Sequence, residues 1–340
     1  MVSLEAVRLS NAKLKNLPPG LVALFVGGTS GIAESTLKQF YRHAIRPRIY
    51  IVGRNQDAAD RIISELKTSQ SEGTATFIRQ DLTLLKNVDL VCDEIKRRET
   101  KLNVLFMTAG LSSMRGRDET SEGLDRKMTT NYYARMRFIH NLLPLLRASA
   151  PELSRAVSVL SPGQETATLN FNDLDLKQNF SLRNAMTYCV TMTDFAFEEL
   201  AKANPTVSFV HDFPGGVKTG FLKESNILLR AVGNILVDVV ARPWMTSIEE
   251  SGERHLFAAT SRRYVSRDGQ EHGVGFGKGD SGKGTGGELG SGAYLIGSTG
   301  EQRGNEKALE QLRSKGAGEK IWKHTVSVFE RVENGNKTDK

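Results

Sequence analysis

The chain has 340 residues, 39% of them hydrophobic and 25% charged, and a formal net charge of +7, proportions that suit a soluble globular protein with a sizeable core. Lys and Arg alternate with Asp and Glu, without a basic tail or a basic stripe interleaved with aromatics, so nucleic acid is excluded as a partner. Two cysteines and six histidines give neither a disulfide framework nor metal-ligand spacing, and with no signal peptide and no spanning apolar segment the expectation is a cytoplasmic protein in a reducing compartment.

Residues 1–20 are mixed and end in the turn Pro18-Pro19-Gly20. The apolar run Leu21-Val22-Ala23-Leu24-Phe25-Val26 then has the pattern of a strand buried on both faces of a parallel sheet. The glycine-rich turn Gly27-Gly28-Thr29-Ser30-Gly31 leads into a helix over residues 32–43. Strand, glycine turn and helix aim backbone N–H groups and a helix amino end at a phosphate. Glycine permits positive φ in such a turn, and its missing Cβ lets a pyrophosphate approach the main chain.

A second buried strand, Arg48-Ile49-Tyr50-Ile51-Val52, ends in Gly53-Arg54-Asn55. In a dinucleotide fold the end of this strand faces the adenosine ribose, where an arginine pairs with a 2′-phosphate. Arg54 therefore favours NADP over NAD, against the plain reading of a solvated loop arginine. An amphipathic helix over 57–69 precedes a third strand over 74–78, which ends at Asp81-Leu82. Asp81 is either a cofactor contact or the N-cap of a helix over 84–98. A fourth strand, Asn103–Met107, runs into Thr108-Ala109-Gly110. Asn131 opens a helix over 131–147, and a fifth strand over 156–160 ends at Ser161. After an irregular acidic stretch, a helix over 182–203 carries Tyr188. A sixth strand over 207–211 runs into Phe213-Pro214-Gly215-Gly216-Val217-Lys218-Thr219. Strand–helix units with short loops make the fold class α/β, a doubly wound parallel sheet with helices on both faces. Ligands bind such sheets at the carboxyl ends of the strands.

These motifs, in this order, resemble the short-chain dehydrogenase/reductase family over about residues 20–260. The glycine spacing Gly27-x-x-x-Gly31-Ile32-Ala33 departs from the family's only in its last residue. The resemblance implies a Rossmann fold and a set of roles. Gly27, Thr29, Ser30, Gly31 and Ile32 would cradle the cofactor phosphates, with Arg54 at the 2′-phosphate. Asp81 and Leu82 would meet the adenine, and Ala109-Gly110 the ribose. Asn131 would hold a water in a proton relay, and Val217 and Thr219 would contact the nicotinamide end. Ser161 and Tyr188 would be the catalytic pair: the serine holds the substrate oxygen while the tyrosine transfers a proton. The gap between them is long, which implies an insertion over 164–178. A homodimer through the helices over 131–147 and 182–203 is also implied.

One position breaks the pattern. The family's Tyr-x-x-x-Lys is here Tyr188-Cys189-Val190-Thr191-Met192, so Met192 stands one helical turn after the tyrosine. A free tyrosine has a pKa of about 10, so loss of a neighbouring ammonium matters. Three readings stay open: a reductase with Tyr188 as an unassisted acid, a non-redox enzyme on the same pocket, and a cofactor-binding protein without turnover. Arg183 or a residue of the lid is a candidate replacement charge. The apolar stretch within 221–247 is expected to be a substrate lid, hence an apolar small-molecule substrate of the fungal secondary-metabolite kind. A core, dimer or membrane-surface helix is the alternative. A helix is expected over 248–260.

The tail, 263–340, is expected to extend the same domain with a flexible glycine-rich loop over 269–292, a last strand over 293–296 and two helices. The loop is not a P-loop: Gly284 follows Lys283 where a hydroxyl belongs, and no buried strand precedes it.

Overall fold

The computed structural model describes residues 1–68, 72–111, 113–217, 245–269, 272–277 and 281–338. Thr219 and the expected lid up to residue 244 lie outside the described residues. The strands are β1 (Val22–Val26), β2 (Arg48–Gly53), β3 (Thr74–Arg79), β4 (Val104–Met107), β5 (Arg155–Val159), β6 (Ser208–Asp212) and β7 (Ala293–Ile296). They form one sheet in the order β3-β2-β1-β4-β5-β6-β7, and every pairing is parallel.

Period-two alternation sorts the strand side chains into two cores. Val22, Leu24 and Val26 join Leu105 and Met107 on one face. Ala23 and Phe25 join Val104 and Phe106 on the other. The register aligns Val26 with Val52 and Met107, and Val159 with Asp212. The carboxyl ends thus make one edge, and the strand order reverses between β1 and β4, where a crevice opens.

The helices are α1 (Leu4–Ala12), α2 (Gly31–His43), α3 (Gln56–Thr68), α4 (Leu85–Arg98), α5 (Arg126–Met128), α6 (Ala134–Ala148), α7 (Leu182–Ala203), α8 (Ile248–Thr260), α9 (Glu306–Arg313) and α10 (Ala317–Thr338). Sequence reasoning passed over α1. Its signals are Ser3, whose side chain caps Ala6 N–H, and the spacing of the buried Val7 and Leu14. The glycine-rich loop, expected to be flexible, is stitched down where it is described. Gly273 N donates to Glu152 O, Val274 N to Thr260 O and Thr285 N to Ala293 O.

The face expected to pair with a second copy is occupied by the chain's own α10. Tyr132 Oη lies 2.6 Å from Thr325 Oγ1 and Tyr133 Oη 2.9 Å from His324 Nε2. Arg137 donates to Glu333 and lies over the Phe329 ring. α10 thus supplies apolar and polar partners to part of the face that the family resemblance implies for pairing.

Candidate active site at the carboxyl edge of the sheet

The glycine turn starts where β1 ends. Gly27 N donates to Val52 O at 2.9 Å, and Gly27 has φ +88°. A Cβ there would sit 2.6 Å from Ala109 N, so the turns after β1 and β4 touch main chain to main chain. Gly31 has φ +63° and begins α2. Ser30 is the N-cap, in extended conformation, and its side chain makes no capping bond. The amino end of α2 thus presents uncapped N–H groups behind a backbone-lined turn, which is what a phosphate requires. The residues present fit a dinucleotide. Thr29 packs on the end of β2, where a Cβ on Gly53 would lie 2.9 Å from Thr29 Cγ2. Ser30 and Arg54 leave from that contact, and both are exposed.

Leu82 is buried in the core below. Asp81 accepts from Thr83 N at 3.0 Å. It does not cap α4, so that half of the expectation is corrected. The cap is Glu122, whose carboxylate accepts from Leu85 N at 2.7 Å and Lys86 N at 3.0 Å. Because this carboxylate comes from 37 positions downstream, local capping rules do not find it.

The turn after β4 is held from below by a single helical stretch. Between α5 and α6 lies a π-helical turn, Thr129–Tyr133, and π turns often mark functional positions. Within it, Asn131 accepts from Leu111 N at 3.1 Å and donates to Leu111 O at 3.2 Å. Asn131 thus sits in the middle of the π turn. Its side chain is committed to positioning the Ala109–Leu111 turn. Gly110 is exposed, and a Cβ on it would lie 3.0 Å from Asn131 Oδ1.

The half around β5 and α7 is built differently. Ser161 follows β5 and is half-buried; it makes no hydrogen bond among the described residues. Tyr188 projects from α7 and is 4% exposed. Its hydroxyl accepts from Asn170 N at 2.9 Å and donates to Thr168 O at 3.4 Å. Both partners belong to the irregular segment between β5 and α7, the insertion the spacing implies. Thr166 N donates to Thr191 Oγ1 at 3.0 Å and ties that segment to α7. Asp173 accepts from Gln178 N and Asn179 N and turns its far end. No bond joins Ser161 to Tyr188 among the described residues. Met192 is fully buried in the core below Tyr188. Arg183, the candidate replacement charge, is exposed on the first turn of α7.

Val217 pairs with Thr246 in a parallel bridge, placing the described part of the Pro214–Val217 segment beyond β6. Thr219 lies outside the described residues. His211, on β6, is fully buried, with Nδ1 2.5 Å from Asp194 Oδ1. Burial holds its pKa well below the ordinary value, so it is a neutral packed residue. Arg135, one turn after Asn131, was missed by sequence reasoning because an arginine in an amphipathic helix reads as surface. It is 2% exposed. A charged cleft of about 480 Å³ lies elsewhere, along the outer face of α2. On that face Glu34, Lys38, Arg61 and Glu65 pair with one another.

A family model described as short chain dehydrogenase matches residues 21–166. The protein named Oxidoreductase AN1596, from Emericella nidulans, is 45% identical over 334 residues, covering 98% of this chain and 99% of its own. Short-chain dehydrogenase/reductase SAT2, from Stachybotrys chartarum, is 30% identical and covers 99% of both chains. Among solved structures, a short-chain type dehydrogenase/reductase from Mycobacterium marinum superposes with a TM-score of 0.56 at 15% identity, over 80% of this chain and 99% of its own. That last likeness is one of fold.

Proposed function

Because the chain belongs to the short-chain dehydrogenase/reductase family and is an oxidoreductase, we propose that it uses NADP(H) to interconvert the carbonyl and alcohol of an apolar small molecule. One observation carries the reading: the uncapped amino end of α2 lies directly behind the positive-φ Gly27. In this reading the amides of Thr29–Ile32 hold the pyrophosphate, Gly27 lets it approach the main chain, and Arg54 meets the 2′-phosphate. Ala109 and Gly110 line the ribose, Leu82 and Asp81 flank the adenine, and Val217 and Thr219 lie at the nicotinamide end. Met114 and Met186 support an apolar substrate. They are 83% and 41% exposed, one in the chain after β4 and one on α7 two residues before Tyr188, and such side chains adapt to irregular apolar partners. A product of fungal secondary metabolism fits this chemistry and the fungal origin of the relatives.

A bound nicotinamide would supply or accept the hydride. The chain's own groups manage the proton and the oxygen. Ser161 holds the substrate oxygen. Tyr188 exchanges the proton with it, and its present acceptor, Thr168 O at 3.4 Å, is distant enough for a substrate oxygen to replace. With Met192 in place of a lysine, the Asn170 N–H is the group that meets charge on the phenol oxygen. Donating a proton to an alkoxide needs less such help than removing one, so the reading commits to reduction.

The rival is a cofactor-binding protein without turnover, favoured by Met192 alone. Cofactor oxidation followed with a panel of apolar ketones and aldehydes separates the two. Turnover by the wild type that Tyr188→Phe and Ser161→Ala abolish supports the reductase. NADPH binding with no turnover on any carbonyl supports the rival. Absence of binding overturns both.

A further inference from the structure

We infer that Arg135 is a positioning residue of this site: it clamps the turn after β4 to the end of β5 and holds a positive charge beneath both. The inference rests on the cofactor reading above and deepens it.

The β4–β5 ladder stops at Met107 and Ser158. Beyond that pair the two chains diverge, one into Thr108-Ala109-Gly110 and the other toward Ser161. Carbonyls at such a divergence lose their ladder partners and need donors. The Arg135 guanidinium provides them. Nη2 donates to Ala109 O at 2.7 Å, and Nη1 donates to Val159 O at 2.8 Å and Ser158 Oγ at 2.7 Å. Residues four apart share a helix face, so Asn131 and Arg135 grip the same turn, one at Leu111 and one at Ala109. A Cβ on Gly110 would lie 3.0 Å from Asn131 Oδ1 and 3.8 Å from Arg135 Nη2. The turn's main chain therefore rests directly on the two polar groups.

The arrangement is costly, which argues for a use. No carboxylate pairs with Arg135 among the described residues, and Nε has no partner. Burial pulls its pKa down to about 10, which leaves it charged at neutral pH. The same strand carries an internal comparison. Arg155, at the amino end of β5, is equally buried and also donates to carbonyls, those of Ala258 and Ser261. It ties β5 to the end of α8, remote from the carboxyl edge. Two arginines of like chemistry thus sit at opposite ends of one strand, and only Arg135 touches the turns that face the cofactor.

The test uses the full chain with Arg135→Lys, Arg135→Ala and, as control, Arg155→Lys. NADPH affinity is read by fluorescence titration, melting temperature by calorimetry, and kcat and KM with the best ketone. Arg135→Lys is expected to fold and to weaken NADPH binding about tenfold or more, which is about 1.4 kcal/mol. Its kcat is expected to fall further than KM for the ketone rises. Free guanidinium at non-denaturing concentration is expected to restore part of the binding to Arg135→Ala, and an equal concentration of urea to restore none. Arg155→Lys is expected to lower the melting temperature and leave NADPH affinity at the wild-type value. Wild-type NADPH affinity in folded Arg135→Lys overturns the inference alone and marks Arg135 as a core residue like Arg155. Failure of the wild type to bind either NADPH or NADH overturns the cofactor reading and this inference with it.

Discussion

The two halves of the sheet's carboxyl edge are built on different principles. The half around β1 and β4 is made of main chain: Gly27 against Ala109, uncapped amides at Gly31, and a turn pinned through the backbone of Leu111. The half around β5 and α7 depends on individual side chains, and there the chain departs from its family. Met192 fills the lysine position, and the Tyr188 hydroxyl takes its partners from a loop. A backbone-built phosphate cradle tolerates drift in side chains, because only the absence of a Cβ matters. A proton-transfer site has no such tolerance, so a lost ammonium must be answered by a new donor or by a less demanding reaction.

Substitutions in each half test that contrast. The largest effect is expected from Tyr188→Phe. General acid catalysis contributes about 10²–10⁴-fold, so kcat in carbonyl reduction falls by that order while NADPH affinity holds; equal loss of both would place the phenol in binding instead. Gly27→Ala is expected to act in the opposite way. The backbone conformation alone costs about 1–3 kcal/mol, and the new Cβ meets Ala109 N, so cofactor titration shows lost affinity together with a lower melting temperature. Arg54→Ala is expected to weaken NADPH about tenfold and leave NADH unchanged, since one charge-assisted contact is worth about 1.5–3 kcal/mol; equal affinities for both in the wild type would remove the 2′-phosphate assignment. Glu122→Ala removes only the distant cap on α4, for a stability loss of about 1 kcal/mol with kinetics unchanged.

The last effect is in pH and touches stability alone. Burial lowers His255 from 6.5 to about 4, partly opposed by the bond from its Nδ1 to Ser251 O. The unfolded chain therefore binds the extra proton between those values, and stability falls as pH drops through that window. Melting temperatures at pH 7.5 and pH 5 should diverge in the wild type and diverge less in His255→Gln, the remainder coming from other buried histidines such as His211.

The sheet was legible because buried parallel strands write themselves as short apolar runs between glycines and prolines, and α7 and β7 fall on the residues the pattern marks. The glycine turn was legible for the same physical reason, since only glycine satisfies Gly27's φ and its contact. Features set by long-range contact were not. Glu122 caps a helix from a distant loop, and α10 covers a face that looks free for a partner. Arg135 is buried because two diverging strands need donors, which no periodicity records. Asn170 reaches Tyr188 through its backbone, and its side-chain identity carries no trace of that bond.

Calorimetric titration of the wild-type chain and Gly27→Ala with NADPH and with NADH probes the carboxyl edge most directly. The account predicts one saturable site per chain, at least about tenfold tighter for NADPH, and lost in the variant. Heat of binding with neither nucleotide, or a site that Gly27→Ala leaves intact, would contradict it.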